Sequence, residues 1–423
     1  MSRPYPGTRF CRRVIASAVP ALVRVPLRAS GRPAVVAVIT LAALTCLPSS
    51  AGAATYRVPR SIARDCSVDV TAALLSWIAS VPDDSTLAFD RNRCYRVEGT
   101  LEIRGRRGLA FDGHGATFRS SDAPTDQRAL WRAWQSSHLT FRDMTIRGSY
   151  GEGGTFNSRL QHAHGIDLRG TSADIESVAI QNVAGDCVYF GLGSDDTTRS
   201  SGRVAYSSCA GTSRNAVSVT AGNRILVEHL TASEIGYDAF DVEPNIAEGN
   251  WGSSDVTFEN NTIGSYYLAA YSLVENAPVT NQSFIGNRVL GDSLRIFVGA
   301  VTRVVAMARR VRIADNMSDT GTPPTSLRLS GVQGLTVTDN SAPAGRSGLS
   351  VDRSCDVTIG GNGIPGRWAV TSSSRRACGA RARASSRRVT RNRPIRGRST
   401  SGHGRGFRPL RLNRAQKRSA KTD

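Results

Sequence analysis

An all-β fold, a single-stranded right-handed parallel β-helix with an N-terminal helical cap, is predicted by three features of the 423-residue sequence. Short strand-like segments separated by turn residues recur from about residue 100 to 370, and helical periodicity is nearly absent there. The segments align as an internal repeat of roughly two dozen residues. One position of that repeat is Asn in five successive units.

The repeat contains two strand types. The first reads LTFRDM (139–144), IESVAI (175–180), VAYSSC (204–209), ILVEHL (225–230), VTFENN (256–261), QSFIGN (282–287), VRIADN (311–316), LTVTDN (335–340) and VTIGGN (357–362). Its last position is Asn261, Asn287, Asn316, Asn340 and Asn362 in the final five units. The second reads GIDL (165–168), CVYF (187–190), AVSV (216–219), AFDV (239–242), AYSL (270–273), SLRI (293–296), SLRL (326–329), GLSV (348–351) and RWAV (367–370). In most units its second and fourth residues are apolar and its third is polar, so one face is buried and the other points outward. Two such strands per turn, with turns stacked about 4.8 Å apart, describe the solenoid. Asn side chains piled at one turn would then satisfy backbone groups otherwise buried and unpaired.

The remaining segments follow from this frame. Residues 54–100 form the cap, with Asp69–Ala79 (DVTAALLSWIA) as a short amphipathic helix that closes the open end of the strand stack. Residues 101–374 form the β-helix. Residues 1–53 read as a secretion signal: several Arg, an apolar run from Pro33 to Thr45, then small residues through Ala53. That places the mature chain outside the cell or on its surface, with no membrane span after the signal is removed. Residues 375–423, rich in Arg, Ser and Gly, lack any apolar period and read as a disordered Arg-rich tail.

The net charge of +20 belongs to the two ends. Residues 1–53 hold seven Arg and no acid, and 375–423 hold fifteen Arg and two Lys against one Asp. The middle is slightly acidic, which argues against nucleic acid as a partner. Beyond the leader six cysteines remain, an even count that suggests disulfides in an exported chain. Spacing leaves the connectivity open. Pairing sequence neighbours gives Cys66–Cys94 in the cap, with Cys187–Cys209 and Cys355–Cys378 each joining adjacent turns.

From about 66 to 300 the chain resembles the pectin-active β-helix proteins, and it is most similar to the polygalacturonase family of glycoside hydrolases. The family motifs NTD, GDDC, GHG and RIK find counterparts, in order, in His162-Ala-His164-Gly-Ile-Asp-Leu168, Gly185-Asp186-Cys187, Arg214-Asn215-Ala216 and Asp241-Val-Glu243. The resemblance implies that Cys187 has its partner one coil on, at Cys209. It also implies polysaccharide as partner, with ligand contacts on these coils. Of the three family carboxylates, one position is His164, one is Gly185, and the third survives as Asp186. The Arg and Lys that grip an acidic sugar are replaced by Asp241 and Glu243, so an acidic polymer would be repelled there. Inverting hydrolysis needs two carboxyl groups about 6.5–9.5 Å apart, and the family set for it is incomplete.

Stacking predicts one outward row of Asp167, Tyr189, Ser218, Asp241, Ser272, Arg295 and Arg328, and a turn row of His164, Asp186, Asn215, Asp238, Ala269 and Asp292. Candidate catalytic residues are His164, Asp186, Asp241, Glu243 and Arg295. Candidate substrate contacts are Asp167, Tyr189, Asn215, Asp238, Trp251 and Tyr271. Insertions at Tyr150–Gln161, Ser194–Gly202 and Asn245–Ser254 flank these coils and mark a groove. Three functions fit: an acid–base polysaccharide hydrolase, a lyase using calcium held by Asp241 and Glu243 with Arg295 as base, and a non-catalytic sugar-binding or surface protein. A monomer is expected.

Overall fold

The computed structural model describes residues 54–244, 252–275, 277–300, 308–320, 324–343 and 348–372. Among them a front sheet of eleven parallel strands runs along the molecule. In chain order its strands are Leu101–Arg104, Trp131–Trp134, Ile166–Arg169, Val188–Gly191, Val217–Val219, Phe240–Val242, Tyr271–Glu275, Arg295–Ala300, Ser326–Ser330, Gly348–Ser354 and Arg367–Ser372, each bonded to the next. A back sheet of nineteen strands closes each coil. The chain is a right-handed parallel β-helix. Most coils have three strands rather than the two expected. Gly222–Glu228, for example, is followed by a separate Thr231–Ile235. The third strand is as short as Thr262–Ile263 or Arg288–Val289, too brief to leave a periodic trace in the sequence.

The two back strands of a coil meet at a corner residue in the left-handed region. Tyr206, His229, Asn260, Asp315 and Asp339 have φ between 48° and 58°. Asn and Asp tolerate this conformation best among residues with a side chain. The next residue turns inward, and there the five Asn form the expected file. The Asn261 N–H and Nδ2 both donate to Asn287 Oδ1, at 3.0 and 2.9 Å. The same pair of bonds links Asn287 to Asn316, Asn316 to Asn340, and Asn340 to Asn362. Each Nδ2 also donates to a strand carbonyl, such as Phe284 O from Asn316 at 2.8 Å. Every amide therefore replaces water for groups that no ladder bond reaches. Two segments sit two residues away from their expected register. Ile175 pairs with Phe141 and Val204, so Val178 and Ser207, not Ile180 and Cys209, occupy the corner file. Ser207 extends the file, its Oγ accepting the Val178 N–H at 3.1 Å.

The core is a continuous column of inward side chains. Phe240 stacks on Phe258 at 4.7 Å, and Tyr271 stacks on Phe284 at 5.1 Å. At the N-terminal end the helix Thr71–Ser80 buries Leu74, Trp77 and Ile78 against it, with Trp77 edge-on to Phe89 at 5.3 Å. Arg106 secures the end of this helix by donating to Ile78 O. The Cys66–Cys94 and Cys187–Cys209 disulfides are both formed. Cys378, the leader and the basic tail lie outside the described residues.

Candidate functional site

The turn that enters each front strand carries a second side-chain ladder. The Asp186 N–H donates to His164 Nδ1 at 3.0 Å, the Asn215 N–H to Asp186 Oδ1 at 3.0 Å, and the Asp238 N–H to Asn215 Oδ1 at 2.9 Å. The Ala269 N–H in turn reaches the Asp238 carboxylate. His164, Asp186, Asn215 and Asp238 thus do for this turn what the Asn file does at the back corner. Because His164 Nδ1 accepts a hydrogen bond, the neutral ring carries its proton on Nε2. Burial, followed by the positive field of Arg169 and Arg214, holds this imidazole well below 6.5, so it is neutral.

Three carboxyl groups converge on Arg214, which stands at 2.9 Å from Asp186 Oδ2, 3.5 Å from Glu243 Oε2 and 3.9 Å from Asp241 Oδ2. Asn215 Nδ2 bridges Ser218 Oγ and Asp241 Oδ2 at 2.9 and 3.3 Å. Burial works against the Arg214 charge, but Asp186, Asp241 and Glu243 outweigh it and strengthen its hold on the proton. Four carboxyl groups around one cation cannot all ionise cheaply out of water. Burial pushes Asp186 above its ordinary range, opposed by Arg214 and the Asn215 N–H. Burial and then Glu243 and Asp238 push Asp241 well above it. Asp238 is raised to about 8, mainly by burial and secondarily by Glu243, against the Ala269 N–H. Its Oδ1 finds no hydrogen-bond partner among the described residues.

The expected open groove is, at this point, a covered cluster. His164, Asp186, Asn215, Asp238 and Asp241 are buried, and only Glu243 has a substantially exposed side chain, at 40%. The insertion expected over 150–161 docks on the turns that precede Asn215 and Asp238. Its Asn157 N–H donates to Ser213 Oγ at 2.7 Å, its Gly154 N–H to Thr212 O, and Phe156 packs on Tyr237 at 4.8 Å.

Of the other expected contacts, Asp167 is fully buried between the Nε atoms of Arg132 and Arg169, both at 2.7 Å. Tyr189 lies between His164, stacked at 4.6 Å, and Arg169, whose guanidinium is 4.4 Å from its ring. Tyr271 is a core residue, because it occupies the inward column between Phe240 and Ile296. Trp251 and residues 245–250 lie outside the described residues.

The outward row holds from Asp167 through Tyr189, Ser218 and Asp241 to Ser272. It then continues to Phe297, not to Arg295, and on to Arg328. Arg295 is displaced by two residues and is committed elsewhere. It donates to Tyr266 O, Tyr267 O and Asp292, with its guanidinium 4.5 Å from the Tyr266 ring. Phe297 and Arg214 are the residues the sequence reading undervalued. Arg214 was visible within its Arg-Asn-Ala motif, next to a position rich in acids.

Calcium takes six to eight oxygen ligands. The described residues contain no group of three or more His, Cys, Asp or Glu side chains able to hold a metal ion. Asp241 and Glu243 already share the Arg214 guanidinium. The residues present do not fit a calcium centre.

No protein-family model matches the sequence, and no curated protein matches it. Similar solved structures exist. The surface protein and adhesin PfbA of Streptococcus pneumoniae superposes with a TM-score of 0.51 at 11% identity, covering 75% of this chain and 99% of that one. ORF18 of Geobacillus virus E2 gives 0.51 at 12% identity, covering 73% of this chain and 60% of that one. A Yersinia enterocolitica family 28 exopolygalacturonase gives 0.44 at 9% identity, covering 75% and 78%. At these identities the likeness to the first two concerns architecture alone.

Proposed function

We propose that this is an exported protein that binds an uncharged polysaccharide along the outer face of the front sheet, centred on the carboxyl cluster around Arg214. The observation that carries the reading is the balance of charge there. Arg214 is engaged by Asp186, Asp241 and Glu243, so its positive charge is neutralised within the cluster and gives a polyanion no grip. Carboxyl and amide groups also suit sugar hydroxyls, which both donate and accept hydrogen bonds. Two disulfides support an oxidising compartment. No helix among the described residues is long and apolar enough to cross a membrane. The test is affinity electrophoresis of the whole chain in gels containing laminarin, dextran, alginate or polygalacturonate. An uncharged polymer should retard the chain, and Asp241→Ala with Glu243→Ala should abolish the retardation. Unaltered retardation in the double variant would remove the cluster from the site.

A hydrolytic activity is a second reading, favoured by Asp238. A carboxyl raised to about 8 is still protonated at neutral pH, the state a general acid must have before it donates to a leaving oxygen. With Asp238 only 2% exposed, substrate would reach it only after the turn that holds it opens. New reducing ends would support this reading. Unsaturated ends absorbing in the near ultraviolet would point to a lyase, and neither product would leave binding alone.

A further inference from the structure

The corrected outward row brings an aromatic ring to a position where none was expected. Phe297 points away from the core, between the buried Ile296 and Val298, and is 39% exposed. Its ring lies down along its own strand. A Cβ placed on Gly299 would stand 3.1 Å from Phe297 Cζ and 3.6 Å from Cε1 and Cε2. Glycine at 299 is what lets the ring rest on the backbone with its other side facing solvent.

The same arrangement occurs four coils earlier, where Tyr189 lies over Gly191. There the ring is closed off by His164 and Arg169 and is only 5% exposed. Among the described residues nothing equivalent happens at Phe297, because the places of His164 and Arg169 on the preceding coil are taken by Ala269 and Val274. Ser272, a small hydroxyl residue, is all that separates Phe297 from Asp241 along the row. Two coil steps amount to about 9.6 Å, a distance an oligosaccharide spans.

We propose that Phe297, seated on Gly299, is the stacking platform for a pyranose ring of the uncharged polysaccharide, one end of a track that begins at Asp241 and Glu243. This rests on the polysaccharide reading above. The C–H face of a pyranose is apolar, and its hydrogens meet the negative face of an aromatic ring. Arg328, next in the row and exposed, supplies donors for the hydroxyls at the rim. A polyanion gains little along this track beyond one guanidinium, because the Arg214 charge is neutralised within the carboxyl cluster.

The experiment compares the full chain with Phe297→Ala, Phe297→Trp and Gly299→Val in gels containing laminarin or dextran, with alginate as the polyanionic control. Phe297→Ala should weaken retention by the uncharged polymer about tenfold, the equivalent of about 1.4 kcal/mol. Phe297→Trp should keep it, and Gly299→Val should lose it by lifting the ring. The thermal midpoint of Phe297→Ala should match that of the unaltered chain, since the ring is on the surface. If the unaltered chain is retained and Phe297→Ala is retained equally, the platform is wrong while the polysaccharide reading stands. If the unaltered chain is retained by neither uncharged polymer, both are wrong.

Discussion

Replacing Asp238 with Asn should change how stability depends on pH, with a sign opposite to that usual for carboxylates. In the folded chain Asp238 keeps its proton up to about 8, whereas its ordinary value is 3.8. Between those values the folded state holds a proton that the unfolded chain has released. The stability is therefore fully present below 3.8 and is lost as the pH rises towards 8, at about 1.4 kcal/mol per unit. At pH 7 the accumulated loss is roughly 4 kcal/mol. His164 acts in the other direction: held well below 6.5, it stays neutral when the unfolded chain takes up a proton, so it lowers stability as the pH falls below 6.5. The two effects oppose each other at mildly acidic pH and separate above 6.5, where the carboxyl group dominates. Urea unfolding at pH 6.5, 7.0 and 7.5 reads the buried carboxyl groups, Asp241 contributing in the same direction as Asp238, provided the slope with urea is unchanged. Across that unit the unaltered chain should lose about 1 kcal/mol more than Asp238→Asn. Parallel curves for the two proteins would refute the buried, protonated Asp238.

Asn316→Ala should destabilise by roughly 3–5 kcal/mol, because it removes four hydrogen bonds and strands the buried Asn287 N–H; a urea-midpoint shift on the scale of an exposed Asn→Ala change would contradict the file. Arg214→Met leaves the Asp186 carboxylate buried without its cation, an expected cost of about 3–5 kcal/mol. Adding Asp186→Asn should recover part of that loss in the same assay, and strict additivity would show that the two residues do not interact.

The Asn file was legible because five identical residues recur at the end of one strand type, and only stacking gives such a column a purpose. The outward row was legible as far as Ser272 by alternation of inward and outward residues. Beyond it the assignment slipped by two residues and put Arg295 where Phe297 stands; the segments at 175–180 and 204–209 slipped by the same amount. A slip of one residue would turn every side chain to the other face and would have been noticed. A slip of two preserves the alternation, so hydrophobic pattern cannot detect it. Tyr271 shows the opposite failure. Its place in the inward column was readable, but its aromatic ring suggested a ligand contact. The burial of the carboxyl cluster was not readable either, because an outward Asp in a buried cluster has the same sequence pattern as an outward Asp in water. Nor was the docking of the 150–161 segment through Asn157 on Ser213 and Phe156 on Tyr237, contacts across more than fifty residues for the first pair.

Hydrogen exchange of the whole chain, alone and saturated with the uncharged polysaccharide that retards it, tests the binding track most directly. The expected footprint is slower exchange in the front strands Phe240–Val242, Tyr271–Glu275 and Arg295–Ala300 and in the 150–161 segment, with the back sheet unchanged. Slowing confined to the back sheet, or spread evenly along the coils, would contradict a binding track on the front face.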